Sequence, residues 1–243
     1  NYRYVGRVNV PRKDAREIVT GKCTFLDDFT LPRMLIGRAK RSPHAHARIK
    51  SINVEKARAL NGVAAETREI ADEAIELIEV EYEVLPAVTS GIEAIKDGAP
   101  QLYPGMFKNN IVTPGYPPFQ KDGPFWHLVK GDPEKGFEEC AYIAEDTVEF
   151  SKMAAPASPE PPGAIVRWEG GRDFTVWCDT QSGYICKITN ASVITDCNMD
   201  IHTFNVGGSY GNKQSQVQIV SSAAVLSMKT GRPVKFYQTK AEQ

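Results

Sequence analysis

The sequence lacks the features that would place it in several common functional classes. Its five cysteines, Cys23, Cys140, Cys178, Cys186 and Cys197, are odd in number and include no C-x-x-C pair. Such spacing excludes a local iron–sulfur ligand set, so any cluster must sit elsewhere. Reduced thiols in a cytoplasmic protein are expected in preference to a disulfide framework. No apolar run approaches the length of a membrane span, and the opening NYRYVGRVNVPRKDAR has no signal-peptide core, so a soluble chain with no membrane partner is expected. Neither sign of charge dominates: 29 Lys and Arg oppose 30 Asp and Glu, for a net charge of −1. That balance, with a basic stretch no longer than Arg38, Lys40 and Arg41, argues against a nucleic-acid partner. There is no internal repeat or low-complexity tract. At 243 residues, 42% of them apolar, the chain is long enough for one large or two modest domains.

The periodicities that are present predict an α+β fold. Met34 to Ala39 and Ala45 to Asn53 alternate as strands, and VEKARALNG reads as a short helix stopped at Asn61-Gly62. Thr67 is placed to cap a helix with an apolar face of Ile70, Ala71, Ala74, Leu77 and Ile78. The chain then runs into a strand, Ile78 to Val84, with Glu79, Glu81 and Glu83 on its solvated face. Six prolines between Gly98 and Pro124 mark a connection between two parts. Beyond it, Ala141 to Phe150 reads as a strand, and AIVRWEGGRDFTVWCDTQ as a hairpin turning at Gly170-Gly171. A helix from Ser182 to Asp196, a strand from Ile201 to Val206, a helix from Gln214 to Lys229 and a strand from Val234 to Tyr237 complete the reading.

The segment most able to carry chemistry is VGGSYGNK, Val206 to Lys213, between a strand and a helix. Glycines let backbone amides approach a bound group, and a helix start favours anions. The residues alone leave ligand binding and a tight structural turn equally open. The nucleotide loop G-x-x-x-x-G-K-[ST] is excluded, because Gln214 follows Lys213, and G-x-G-x-x-G fails as well. His44 and His46 would share a face in a strand, but no third metal ligand lies nearby, so structural or surface roles are expected for them. His127 and His202 are isolated, and no local signature of a serine or cysteine nucleophile is evident.

Taken in order, GKCTFLDDFTLPRMLIG, RSPHAHARIKSI, AAETREIADEAIELIEVEYEVLPAV, KGDPEKGFEEC, EPPGAIVRWEG, DTQSG, VGGSYGNK and KTGRPVKF resemble the molybdenum hydroxylase family of xanthine dehydrogenases and aldehyde oxidases. The resemblance implies an α/β hammerhead domain over residues 1–100, a linker over 101–124, and the first portion of the molybdenum-cofactor-binding domain over 125–243. Asn61-Gly62-Val63 joins directly to Ala64 where the family has several dozen further hammerhead residues, which implies that residues are missing between 63 and 64.

The resemblance also assigns roles. Gln181 matches the glutamine that hydrogen-bonds an oxo ligand of molybdenum. Gly207, Gly208, Ser209, Tyr210 and Gly211 match the loop beside the metal and its pterin. Tyr210 takes the place of a phenylalanine near the substrate, Ser209 that of a third glycine, and Pro162 that of the histidine in EPH. Gln214 falls where purine-oxidising members carry a substrate-binding glutamate, and a neutral amide cannot supply that charge. The general-base glutamate belongs to a motif beyond Gln243, so the isolated chain is expected to be inactive. The implied cofactor is molybdopterin in its cytosine dinucleotide form. The implied partners are a small-molecule substrate, iron–sulfur and FAD subunits, and the C-terminal remainder of the molybdenum subunit. The first reading is hydroxylation of a heteroaromatic or aldehyde with water as oxygen source. The alternatives are an aryl-CoA reductase of the same family, and a cofactor-free fragment acting as a structural module.

Overall fold

The computed structural model describes residues 12–60, 65–105, 108–111, 129–148, 156–194 and 196–243. Its elements run in the order α1 (Ala15–Val19), β1 (Leu35–Gly37), β2 (Ala47–Asn53), α2 (Glu55–Arg58), α3 (Arg68–Glu76), β3 (Glu79–Val84), α4 (Gly91–Ala94) and α5 (Pro133–Glu139). Then follow β4 (Gly163–Gly170), β5 (Asp173–Cys178), α6 (Gly183–Val193), β6 (Asn198–Thr203), α7 (Val217–Thr230) and β7 (Val234–Tyr237). The fold is α+β. The described residues fall into two compact units, one within Asn1–Arg41, Ser51–Val80 and Ala155–Gln243, the other within Ser42–Lys50 and Glu81–Ala154.

In the first unit, a five-stranded sheet has the order β1-β7-β4-β5-β6. The hairpin β4–β5 is antiparallel, and β4 also pairs antiparallel with β7. The outer pairs β1–β7 and β5–β6 are parallel. Alternation on β5 sends Phe174, Val176 and Cys178 into the core and leaves Thr175 and Trp177 on the opposite face. Helix α7 covers the inner face with Ile219, Val220, Ala223 and Ala224, where the two alanines permit close approach. Ser227, also buried there, accepts from the Trp168 amide and donates to Arg232 O, so its hydroxyl is fully used.

α3 begins as the sequence predicts, with the Thr67 hydroxyl accepting from the Ile70 amide at 3.4 Å. Its apolar face is rotated from the expected one. Ala71, Ala74, Ile75 and Ile78 line an apolar cleft with Ile36 and Ala57, while Ile70 is exposed. Thr67→Ala should lower stability by about 1 kcal/mol, read as a shift in urea midpoint at unchanged slope. The acidic face of β3 is a surface of ion pairs: Glu79 meets Lys56 at 2.5 Å and Glu83 meets Arg48 at 3.4 Å.

Three expectations are corrected. The strand expected at Ile201–Val206 is β6, Asn198–Thr203, because its partner β5 ends at Cys178 and the register closes at Cys178↔Thr203. Phe204 then turns onto Phe29, with ring centroids 5.1 Å apart. The helix expected from Gln214 begins at Val217, because the carbonyls of Lys213, Gln214 and Ser215 accept from Thr180, Gln181 and Asn190 and are held outside the helix ladder. Residues 141–148 form no strand; Tyr142, Ile143 and Val148 are exposed with no strand beside them among the described residues. Phe150, most of the proline-rich connection, the join at 63–64 and His127 lie outside the described residues.

In the second unit, β2 starts at Ala47, so His44 and His46 precede the strand. His46 Nδ1 lies 2.6 Å from Pro86 O, and the His44 ring meets Tyr82 edge-on. Both have structural partners, and among the described residues no group of three His, Cys, Asp or Glu could hold a metal ion.

Candidate functional site

Parallel pairing brings the carboxyl ends of β5 and β6 to one edge of the sheet, and antiparallel pairing brings the start of β4 and the end of β7 to the same edge. Four segments meet there: 158–162, 179–182, 204–216 and 237–243. Chain leaving the carboxyl ends of parallel strands is where open sheets place ligands.

A buried charge triad closes this edge. Lys213 is fully buried, and its Nζ lies 2.6 Å from Asp179 Oδ2 and 2.8 Å from Glu160 Oε2. Asp179 Oδ1 accepts from the Gly163 amide at 3.0 Å and from Gln216 Nε2 at 2.6 Å. Burial pushes the Asp179 carboxyl up, opposed by the Lys213 ammonium and these two N–H donors. Glu160 Oε2 also accepts from the Gly207 amide at 2.7 Å, while the Glu160 amide donates back to Gly207 O at 3.0 Å. Both ends of the glycine loop are therefore tied to the sheet by charge-assisted bonds. A Cβ on Gly207 would lie 2.6 Å from Glu160 Cβ, which explains a glycine at that position. The loop passes through left-handed backbone at Gly208, Tyr210, Gly211 and Gln216.

The loop holds Gln181 in one orientation. Gln181 Oε1 accepts from the Ser209 hydroxyl and from the Gly211 amide at 3.1 Å, and the Gln181 amide donates to Lys213 O at 3.0 Å. Two donors on one side-chain oxygen fix the amide's O and N assignment. Nε2 then carries two N–H donors with no acceptor among the described residues, on an exposed side chain. Ser209 and Gly211 thus lie against Gln181. Tyr210 projects outward at 73% exposure, and Gln214 is exposed with its carbonyl held by Thr180 at 3.0 Å.

The start of α7 adds a second feature. It has neither a side-chain cap nor an acidic residue in its first turn, so its leading amides favour an anion. A cleft of about 370 Å³ opens there, lined by Pro162, Asn212, Gln216, Gln238 and Gln243 among others and by Glu242, whose carboxylate is paired with Arg38 and Arg41. An outward amide, close-approach glycines, an uncapped helix start and an amide-rich cleft are a donor set that fits a phosphorylated heterocyclic cofactor with electronegative metal ligands.

Sequence reasoning named Gln181 and the loop but missed Glu160, Asp179, Thr180 and Lys213 as members of this site. Lys213 entered only to exclude a nucleotide loop. The available signal was an acid, Asp179, directly after an apolar strand, which is costly unless a buried cation answers it.

Comparison with known proteins accounts for both regions. Residues 117–243 match the molybdopterin cofactor-binding domain, and residues 20–66 match the a/b hammerhead domain of aldehyde oxidase and xanthine dehydrogenase. A probable xanthine dehydrogenase subunit of Bacillus subtilis (strain 168) is 30% identical over 95% of this chain and 34% of its own length. The nicotinate dehydrogenase large molybdopterin subunit of Eubacterium barkeri is 23% identical over 100% of this chain and 63% of its own. Among solved structures, the Cu,Mo-CO dehydrogenase superimposes with a TM-score of 0.75 at 25% identity, covering 96% of this chain and 35% of that one. This chain thus spans about a third of the length of the Bacillus relative. The Eubacterium alignment runs over 284 residues and takes in all 243 of this chain, so about 40 positions have no counterpart here. With one family model covering more than half of the sequence and a second covering the hammerhead region, the chain belongs to the molybdenum hydroxylase large-subunit family.

Proposed function

We propose that this chain forms part of the molybdenum-cofactor subunit of an oxidoreductase that hydroxylates a heteroaromatic or aldehyde substrate with water as oxygen source. The observation that carries the reading is the Gln181 amide, turned outward beside the glycine loop by two bonds to its oxygen. When bound, the cofactor supplies the two-electron acceptor for oxidation of a substrate carbon. The chain's own residues bind and orient. Gln181 Nε2 is a preorganised donor toward a ligand of the metal, costing no reorganisation at the moment of reaction. Gly211, with open space where a Cβ would lie, lets the backbone approach the pterin, and the start of α7 with the amide-rich cleft suits its phosphate and ring edges. Tyr210 offers an exposed ring to bound substrate. Gln214 offers an amide where a carboxylate would select a purine, which favours a substrate that needs no such charge.

The general base, the remaining pterin contacts, and the iron–sulfur and FAD centres that accept the electrons are assigned to the rest of the molybdenum subunit and to partner subunits, in a cytoplasmic complex. The dinucleotide form assigned is cytosine. Among the described residues no helix is long and apolar enough to cross a membrane. Aryl-CoA reduction and a cofactor-free structural role have no observation that favours them.

The test is molybdenum per chain in the purified protein, with release and identification of the cofactor's nucleotide. Near-stoichiometric molybdenum with cytidine monophosphate is the expected result. Molybdenum near zero in the intact complex overturns the reading.

A further inference from the structure

We propose that Ser209 is a positioning residue whose hydroxyl, held between the Lys213 amide and Gln181 Oε1, fixes the Gln181 side chain with its N–H donors outward before any cofactor arrives. The inference deepens the functional reading above and rests on it only for what the outward amide meets.

The hydroxyl is used completely and in one sense. It accepts from the Lys213 amide at 3.2 Å, which leaves its proton to be donated to Gln181 Oε1. Gln181 Oε1 takes the Gly211 amide as well, so a flipped amide would set N–H against N–H at one contact and waste the hydroxyl proton at the other. Ser209 is itself only 8% exposed and cannot swing into solvent to find other partners. Behind it, Lys213 is held immobile by Glu160 and Asp179. The order of dependence therefore runs from the buried triad through the Lys213 backbone to Ser209, and from Ser209 to Gln181. A glycine at position 209 would leave the side-chain oxygen with the Gly211 amide alone, and one donor permits rotation that two forbid. An exposed glutamine otherwise samples many rotamers, and holding it in one transfers that ordering cost from the binding step to folding.

The test follows the side-chain amide of Gln181 in protein carrying isotope-labelled glutamine, with its signal assigned by loss in Gln181→Leu. In the parent protein this signal should be displaced from that of free glutamine and exchange slowly. Ser209→Ala should move it toward the free position, and Ser209→Thr, which keeps the hydroxyl, should return it. In the holoenzyme, Ser209→Ala should lower kcat roughly tenfold with KM little changed, because the donor remains but is no longer held. A Gln181 signal that is indifferent to Ser209→Ala, in a variant with unaltered circular dichroism, overturns the proposal. So does a signal that moves equally in Ser209→Thr. The spectroscopic readout needs no cofactor. Displacement in protein lacking molybdenum upholds the lock while the functional reading falls, and an indifferent signal in molybdenum-replete protein does the reverse.

Discussion

Lys213→Met is expected to destabilise the protein by about 3–5 kcal/mol, since it removes the buried cation that answers two carboxylates at this edge. Neither acid can turn to water without giving up backbone: Asp179 holds the Gly163 amide and Glu160 holds that of Gly207. The deficit should depend on pH, with a definite sign. Burial already raises the Asp179 carboxyl in the folded state, and Lys213 opposes that rise. Without the lysine the folded carboxyl rises further above its unfolded value of about 3.9. A carboxyl with a raised folded pKa costs stability once the pH exceeds the unfolded value, and the cost grows until the folded value is passed. The gap between variant and parent should therefore narrow as the pH falls from neutral toward the unfolded value. Urea midpoints at several pH values check this. A gap that stays constant or widens in acid would refute the buried triad. Adding Asp179→Asn and Glu160→Gln to Lys213→Met should recover much of the loss, as a neutral, hydrogen-bonded set replaces an uncompensated one.

The hairpin was legible because its signals are local. Alternating apolar residues in AIVRWEG and DFTVWC flank Gly170-Gly171, and both strands appear where expected. Strand β6 was displaced because its bounds are set by a partner, not by its own pattern: Phe204 and Val206 are apolar, yet β5 ends at Cys178 and offers nothing to pair with beyond Thr203. Residues 141–148 show the same limit, since alternation without a neighbouring strand makes no sheet. The family resemblance put Gln181 and Gly207 to Gly211 at one place, and the structure brings them together beyond the end of β5. The triad was not readable, because Lys213 and Glu160 lie 53 residues apart in sequence. Periodicity reports which face of an element is buried, and these residues belong to the loops between elements. Their pairing exists only after β4, β5 and β6 are in register.

That register makes Gly207 the position where the smallest change should have a large functional effect. Gly207→Ala places a methyl 2.6 Å from Glu160 Cβ, a contact no backbone tolerates unmoved. Glu160 cannot retreat freely, because its carboxylate holds Lys213 at 2.8 Å and its amide is bonded to Gly207 O. The loop must yield instead. It gives up the bond from the Gly207 amide to Glu160 Oε2 and shifts Ser209 and Gly211 relative to Gln181. Overpacking of this kind costs about 1–3 kcal/mol, so the protein should still fold. A displacement near 1 Å at a positioning loop is enough to cost about 10²-fold in turnover. The expected result is folded protein with a urea midpoint lowered in keeping with that cost at unchanged slope, substrate oxidation by the complete complex reduced about a hundredfold, and lowered molybdenum occupancy. Glu160→Gly in the same background removes the colliding Cβ, which an alanine would keep, and with it one of the two acids on Lys213. It should relieve the clash without restoring activity. If the double variant regained parent activity, steric exclusion would be the whole role of this contact, and the charge triad would have no part in holding the loop.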